Sequence, residues 1–212
     1  SKIRFNYKDK NEWKKIKEYC EHDADDSLTL FDLMAPSIFY LTQSVPKTFQ
    51  QMVESATGSQ INSMMIRSYL QEGHSIPKAS QTKQFEGAIS FGNPGIYRNV
   101  YKVDVTSLYP SIILQCDVYD PEKDPRGNFL KIIQTFTNER IKNKKLAKTS
   151  KYHDDLQSAQ KIVINSGYGF LGAEGLNFNS PEAAGFITKT GRDVLQIAID
   201  WAKTKNMKIV NA

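Results

Sequence analysis

The sequence is poor in cysteine and tryptophan and has no long apolar run. Its two cysteines, Cys20 and Cys116, lie far apart and in no CxxC pair. A disulfide-stapled secreted scaffold and a zinc module are thereby excluded, and both thiols read as small reduced core residues. No apolar stretch approaches the ~18 residues a membrane span needs. The start, SKIRFNYKDKNEWKK, has no apolar segment of signal-peptide type. The expectation is an intracellular chain with no membrane partner, not a secreted one. Internal repeats and low-complexity tracts are also missing. What remains is a globular composition, 40% hydrophobic and 24% charged over 212 residues, enough to bury a core without staples.

Hydrophobic periodicity predicts a helix-rich chain with some strand. Residues 11–34 carry Trp13, Ile16, Tyr19, Cys20, Leu28, Phe31 and Met34 near the helical period, and Pro36 is expected to bend or break that helix. One or two helices over 48–72 split near Gly58. A loose stretch follows over 74–98, rich in Gly, Pro, Ser and Asn. Alternation predicts a strand at 99–105, NVYKVDV, before a turn and a short helix. Residues 117–128 read as a charged surface loop. Helices are expected at 129–149, 154–170 and 182–205, the last with Ala183, Ile187, Val194, Ile197, Ala198 and Trp201 inward, and a final strand at 207–212.

The net charge of +5 comes from 28 basic and 23 acidic residues. Residues 138–151, NERIKNKKLAKTSK, hold six basic residues against Glu139 and so carry +5 themselves. Such a run is either a solvated helix face or a contact for nucleic-acid or nucleotide phosphates. Arg140 and Lys144 are i and i+4 within it, and Lys148 lies a further turn on, where it reads as solvated. Lys161 and Asn165 are likewise i and i+4 and share a helix face. A lysine on such a face can neutralise a phosphate. An antiparallel pair of helices would let Arg140, Lys144 and Lys161 converge on one triphosphate. Asp104, at the end of a predicted strand, can offer oxygen to a hard cation.

The longest specific string is DVTSLYPSII, Asp104 to Ile113. It resembles motif A of the family B DNA polymerases, D-x-x-S-L-Y-P-S-I-I. Lys161 to Gly169, KIVINSGYG, resembles the family's motif B, K-x-x-x-N-S-x-Y-G. Thr188 to Arg192 resembles its T-x-x-G-R element, and Tyr19 to Asp23 the Y-x-x-x-D of its third exonuclease motif. The four stand in family order along almost the whole chain.

The resemblance implies an α+β, helix-rich fold: a polymerase palm with a two-helix fingers insertion and the tail of an exonuclease domain. The expected division is 1–45 exonuclease tail, 46–117 connecting helices and first palm segment, 118–170 fingers, and 171–212 second palm segment. The implied activity is DNA-directed DNA synthesis on a primer–template, with dNTP substrates and two Mg²⁺ ions. Asp104 would be the catalytic carboxylate, and Asp104 with the Val105 backbone carbonyl the metal ligands. Ser107, Leu108, Tyr109, Arg140, Lys144, Lys161 and Asn165 would bind nucleotide. Tyr168, Gly169, Thr188, Gly191 and Arg192 would bind DNA. Tyr109 would exclude ribonucleotides by its bulk, or else serve as an ordinary core aromatic. Tyr19 and Asp23 would be an exonuclease remnant, or part of the solvated acidic face EHDADD.

The pattern departs from the family at Val105, where an aromatic is usual, and at Phe85-Glu86-Gly87-Ala88, where the family has Y-x-G-G. The family's D-T-D motif C is not reached before Ala212. The chain is therefore expected to be a fragment, a split product or one side of an intervening sequence. It would be inactive by itself and partnered by the rest of the polymerase. The alternative is a non-catalytic nucleic-acid-binding module on the same fold.

Overall fold

A computed structural model describes residues 7–79, 81 and 84–211. A 3₁₀ turn at Lys10–Glu12 leads into α1 (Trp13–Thr42), followed by α2 (Phe49–Glu54), α3 (Thr57–Gln71), α4 (Leu108–Gln115), α5 (Asn128–Leu146), α6 (Lys151–Asn165), α7 (Gly167–Gly172) and α8 (Pro181–Thr204). The helix starts follow local chemistry. Thr48 and Gln51 form a reciprocal capping box on α2. Ser180 caps α8, with Pro181 in its first turn.

The core gathers one face from each of α3 to α8. Ile61 and Met65, Ile113, Ile133, Val163, Phe170 and Ile187 are fully or almost fully buried. Phe129 stacks on Phe170 at 5.4 Å between ring centroids. α5 and α6 form a closely packed antiparallel hairpin, and the end of α1 lies against α6 through Tyr40 and Tyr152, 4.7 Å apart.

Several expectations are corrected. Pro36 does not break α1, which continues to Thr42. Proline costs one backbone hydrogen bond and a local clash. Here the residues beyond it are anchored: Leu41 is buried and Ile38 packs against the core. Earlier in α1, Trp13, Tyr19, Leu28, Phe31 and Met34 are exposed. Periodicity identified their shared face but not whether anything covers it. The same holds for Ile197, Ala198 and Trp201 on α8, which are exposed rather than inward. Both cysteines are exposed too; Cys116 ends α4, beyond the turns that bury Ile112 and Ile113.

The helix-rich half of the expected α+β class stands, but the described residues form no strand. Residues 99–105 are irregular, with Tyr101 87% and Val103 84% exposed. Alternation is a strand signal only where a neighbour completes the ladder. At the other predicted strand, Gly92 and Asn211 form an isolated antiparallel bridge, and the Asn93 N–H donates to the Val210 carbonyl at 2.9 Å. Ala212, the last residue of that prediction, lies outside the described residues, as do residues 1–6 of the expected first domain.

Candidate functional site

Three sequence-distant motifs meet around one aromatic pair. α4 begins at Ser107, whose φ of 53° and ψ of 51° are left-handed. For a residue with a Cβ this is a strained conformation, of the kind held only where its surroundings impose it. The turn sends Leu108 and Tyr109 toward α8. The Tyr109 ring lies 4.9 Å from that of Tyr168 in α7 and packs against Gly191 of α8. Tyr168 in turn meets Phe85 edge-on at 6.3 Å. Burial, then the neighbouring Tyr109, pushes the Tyr168 hydroxyl above its ordinary range, so it stays protonated near neutrality. Gly169, next along, is exposed.

Thr188, Gly191 and Arg192 share one face of α8 at i, i+3 and i+4. Thr188 is buried and donates to the Glu86 carbonyl at 2.8 Å. Arg192 donates through Nη1 to the carbonyls of Glu86 at 2.9 Å and Gly87 at 2.6 Å, while Nη2 pairs with the Glu86 carboxylate at 3.0 Å. Phe85 lies over Gly172 and Gly185. The two polar residues of the T-x-x-G-R element thus clasp the 85–87 segment and seat Phe85 beside Tyr168.

The helical hairpin carries the cations. His153 Nδ1 is 2.9 Å from the side-chain oxygen of Asn143. The Asn143 amide donates to Gln160 at 3.0 Å, and the Gln160 amide to Glu139 at 3.3 Å. This polar ladder fixes the antiparallel register, setting Gln160, beside Lys161, opposite the turn of α5 that bears Arg140. Lys144, Lys161 and Asn165 are exposed, as is Lys148. Arg140 is half-buried, and its buried Nε has no hydrogen-bond partner among the described residues. Asn165 lines a cleft of about 530 Å³ with Ser166, Tyr168 and Gly169, against the start of α3.

Asp104 and Val105 are exposed on the irregular segment before α4. Among the described residues Asp104 makes no hydrogen bond or ion pair, and no three His, Cys, Asp or Glu side chains are grouped to hold a metal ion. Tyr19 and Asp23 share a face of α1, as their spacing predicts. The Tyr19 hydroxyl, bonded to the Asp23 carboxylate, is raised above its ordinary pKa by that bond and by the carboxylate's charge.

The model of "DNA polymerase family B" matches residues 122–212. DNA polymerase 1 of Aeropyrum pernix is 26% identical over 92% of this chain and 26% of its own length. DNA polymerase 1 of Sulfolobus acidocaldarius is 30% identical over 60% of this chain and 18% of its own. The chain is related to the family B DNA polymerases. A solved family B DNA polymerase from the hyperthermophilic archaeon Pyrobaculum calidifontis shares its fold, with a TM-score of 0.77 at 22% identity over 100% of this chain and 32% of that one. The chain spans under a third of the length of these family B relatives. No helix among the described residues is long and apolar enough to cross a membrane.

The family B motifs pointed to the tyrosines and the cations but not to the group that anchors α5. Asp124, read from sequence as part of a solvated loop, is 2% exposed. Its Oδ1 accepts from the Tyr69 hydroxyl at 2.6 Å and the Asn128 N–H at 2.9 Å, and its Oδ2 from the Phe129 N–H at 2.8 Å. An aspartate four residues before a helix start was the available signal; the partner on α3 was not legible. Lys123 beside it donates to the carbonyl and side-chain oxygens of Asn179 at 2.6 and 2.8 Å, and burial lowers its pKa.

Tyr69 supplies a pH test. Burial first, then the bond to Asp124, raises its pKa well above the usual tyrosine range. A raised folded-state pKa gives stability that is complete below the unfolded value of about 10 and is lost as pH rises from there through the folded value. Tyr168 and Tyr19 shift in the same direction, so the comparison is with Tyr69→Phe. Denaturant midpoints should fall more steeply above pH 10 for the parent chain than for Tyr69→Phe. Parallel curves would remove Tyr69 as the titrating group.

Proposed function

We propose that this chain is the nucleotide-handling part of a DNA-directed DNA polymerase, with 1–45 an exonuclease tail, 46–117 and 171–212 palm segments and 118–170 the fingers. The observation that carries the reading is the meeting of Tyr109, Tyr168 and Gly191, from three separate family-like motifs, around one aromatic pair. In the reaction a primer 3′-oxygen bonds to the α-phosphorus of a dNTP, the bond to the β-phosphate oxygen breaks, and pyrophosphate leaves. Arg140, Lys144 and Lys161, with Asn165, hold the triphosphate and offset charge on the leaving group. Ser107, Leu108 and Tyr109 line the sugar. Tyr168 and Gly169 face the new base pair, and Thr188, Gly191 and Arg192 back that surface toward DNA. Primer–template DNA, dNTPs and the rest of a polymerase are the partners.

The family relationship points to Mg²⁺ as cofactor. The described residues do not by themselves make a magnesium site, since no group of three His, Cys, Asp or Glu side chains forms at Asp104. This chain would offer the Asp104 carboxylate and the Val105 carbonyl as part of a ligand set.

The test is the sugar gate. Tyr109→Ala should lower the ratio of kcat/KM for dNTP over NTP, mainly through better NTP use. A packed ring has no room for an added 2′-oxygen, and overpacking costs ~1–3 kcal/mol, or roughly 5- to 150-fold. The measurement is single-nucleotide primer extension by a polymerase containing this segment. An unchanged ratio would leave Tyr109 a core tyrosine.

A further inference from the structure

We infer that Gly191 is a positioning residue for Tyr109: the side chain it lacks is the slot that receives the ring edge, and the slot sets how the ring stands at the nucleotide sugar. This rests on the reading of Tyr109 given under Proposed function. A Cβ built on Gly191 would lie 3.0 Å from Tyr109 Cε1 and 3.8 Å from Cδ1, with Leu108 Cδ2 at 3.7 Å. Ordinary carbon contacts are about 3.5–4.0 Å, so the ring must give by roughly half an ångström. It has little freedom to do so, because Tyr168 packs against the same ring at a 4.9 Å centroid distance. Tyr168 is itself backed by Phe85, which the Thr188 and Arg192 clasp keeps in place.

Glycine in the middle of a 24-residue helix is otherwise unfavourable, since alanine is the better helix former. Gly191 is buried, with its backbone inside α8, and has φ in the ordinary negative range. Conformational freedom is therefore not what calls for glycine here; close approach of the ring is. The motif assigns Gly191 to DNA contact, whereas the contact present is with Tyr109.

The test uses the full chain, comparing the parent with Gly191→Ala, Tyr109→Leu and the double variant, with 3-fluorotyrosine at position 109 in the parent and in Gly191→Ala only. The unlabelled chains are assayed for binding of dNTP, NTP and primer–template DNA. Gly191→Ala should move the position-109 fluorine resonance and change the dNTP-to-NTP preference on the order of tenfold, as small misplacements of a substrate-facing group do. In the Tyr109→Leu background, where the ring edge is gone, the same glycine change should have no further effect on nucleotide preference. An unmoved resonance overturns the inference, as does a loss of DNA affinity that is equal in both backgrounds. A moved resonance with unchanged nucleotide preference upholds the positioning role and overturns the gate reading. Where the chain alone binds neither nucleotide, nucleotide preference is read in a polymerase containing this segment, and the resonance decides the positioning role.

Discussion

Asp124→Ala should cost about 3–5 kcal/mol of stability. The carboxylate is almost fully buried and accepts three hydrogen bonds, one from the Tyr69 hydroxyl and two from backbone N–H groups at the start of α5. Its removal strands the buried hydroxyl, at about 1–3 kcal/mol. It also removes a cap from a 19-residue helix, at about 1 kcal/mol or more, and takes charge-assisted bonds out of a dry site. Tyr69→Phe removes one bond and leaves the two backbone bonds in place, so about 1–1.5 kcal/mol is expected. Urea melts of the two variants measure the difference. Equal losses would mean that the Asp124 bonds to α5 contribute nothing of their own.

Lys161→Ala should reduce kcat/KM for dNTP by about 10²-fold in a polymerase containing this segment, with primer–template affinity nearly unchanged. Lys161 sits one residue beyond Gln160, whose amide ties α6 to α5 at Glu139 and Asn143. That tie sets the lysine level with the turn bearing Arg140, whose buried Nε has an unused donor. A solvated lysine with no substrate contact is worth little, and Lys148→Ala, beyond the end of α5, should change dNTP use by less than about twofold. Equal effects of the two substitutions would make the basic run a general phosphate-attracting surface and remove the assignment of Lys161.

Much of the site was legible because its residues are close in sequence. The DVTSLYPSII and KIVINSGYG strings, the i, i+4 spacing of Arg140 with Lys144 and of Lys161 with Asn165, and the paired helices around the basic run are all local patterns. Family resemblance added roles for these positions. The strand expected at 99–105 was not formed among the described residues, because alternation describes a strand's faces and says nothing of its neighbour. The inward face expected at the end of α8 failed for the same reason, and most of the periodic residues of α1 are exposed: an apolar stripe marks one side of a helix and leaves open what lies against it.

The sequence by itself determined most of the helices and the order of the family-like motifs, since these depend on residues within a few turns of each other. Tertiary structure alone decided the rest. It turned Asp124 from a loop charge into a buried anchor by bringing Tyr69 to it. It turned Thr188 and Arg192 inward onto the backbone of residues 86 and 87. It set Gly191 against a tyrosine from another motif. Each of these depends on the distance between side chains far apart in the chain, which packing fixes and local pattern does not contain.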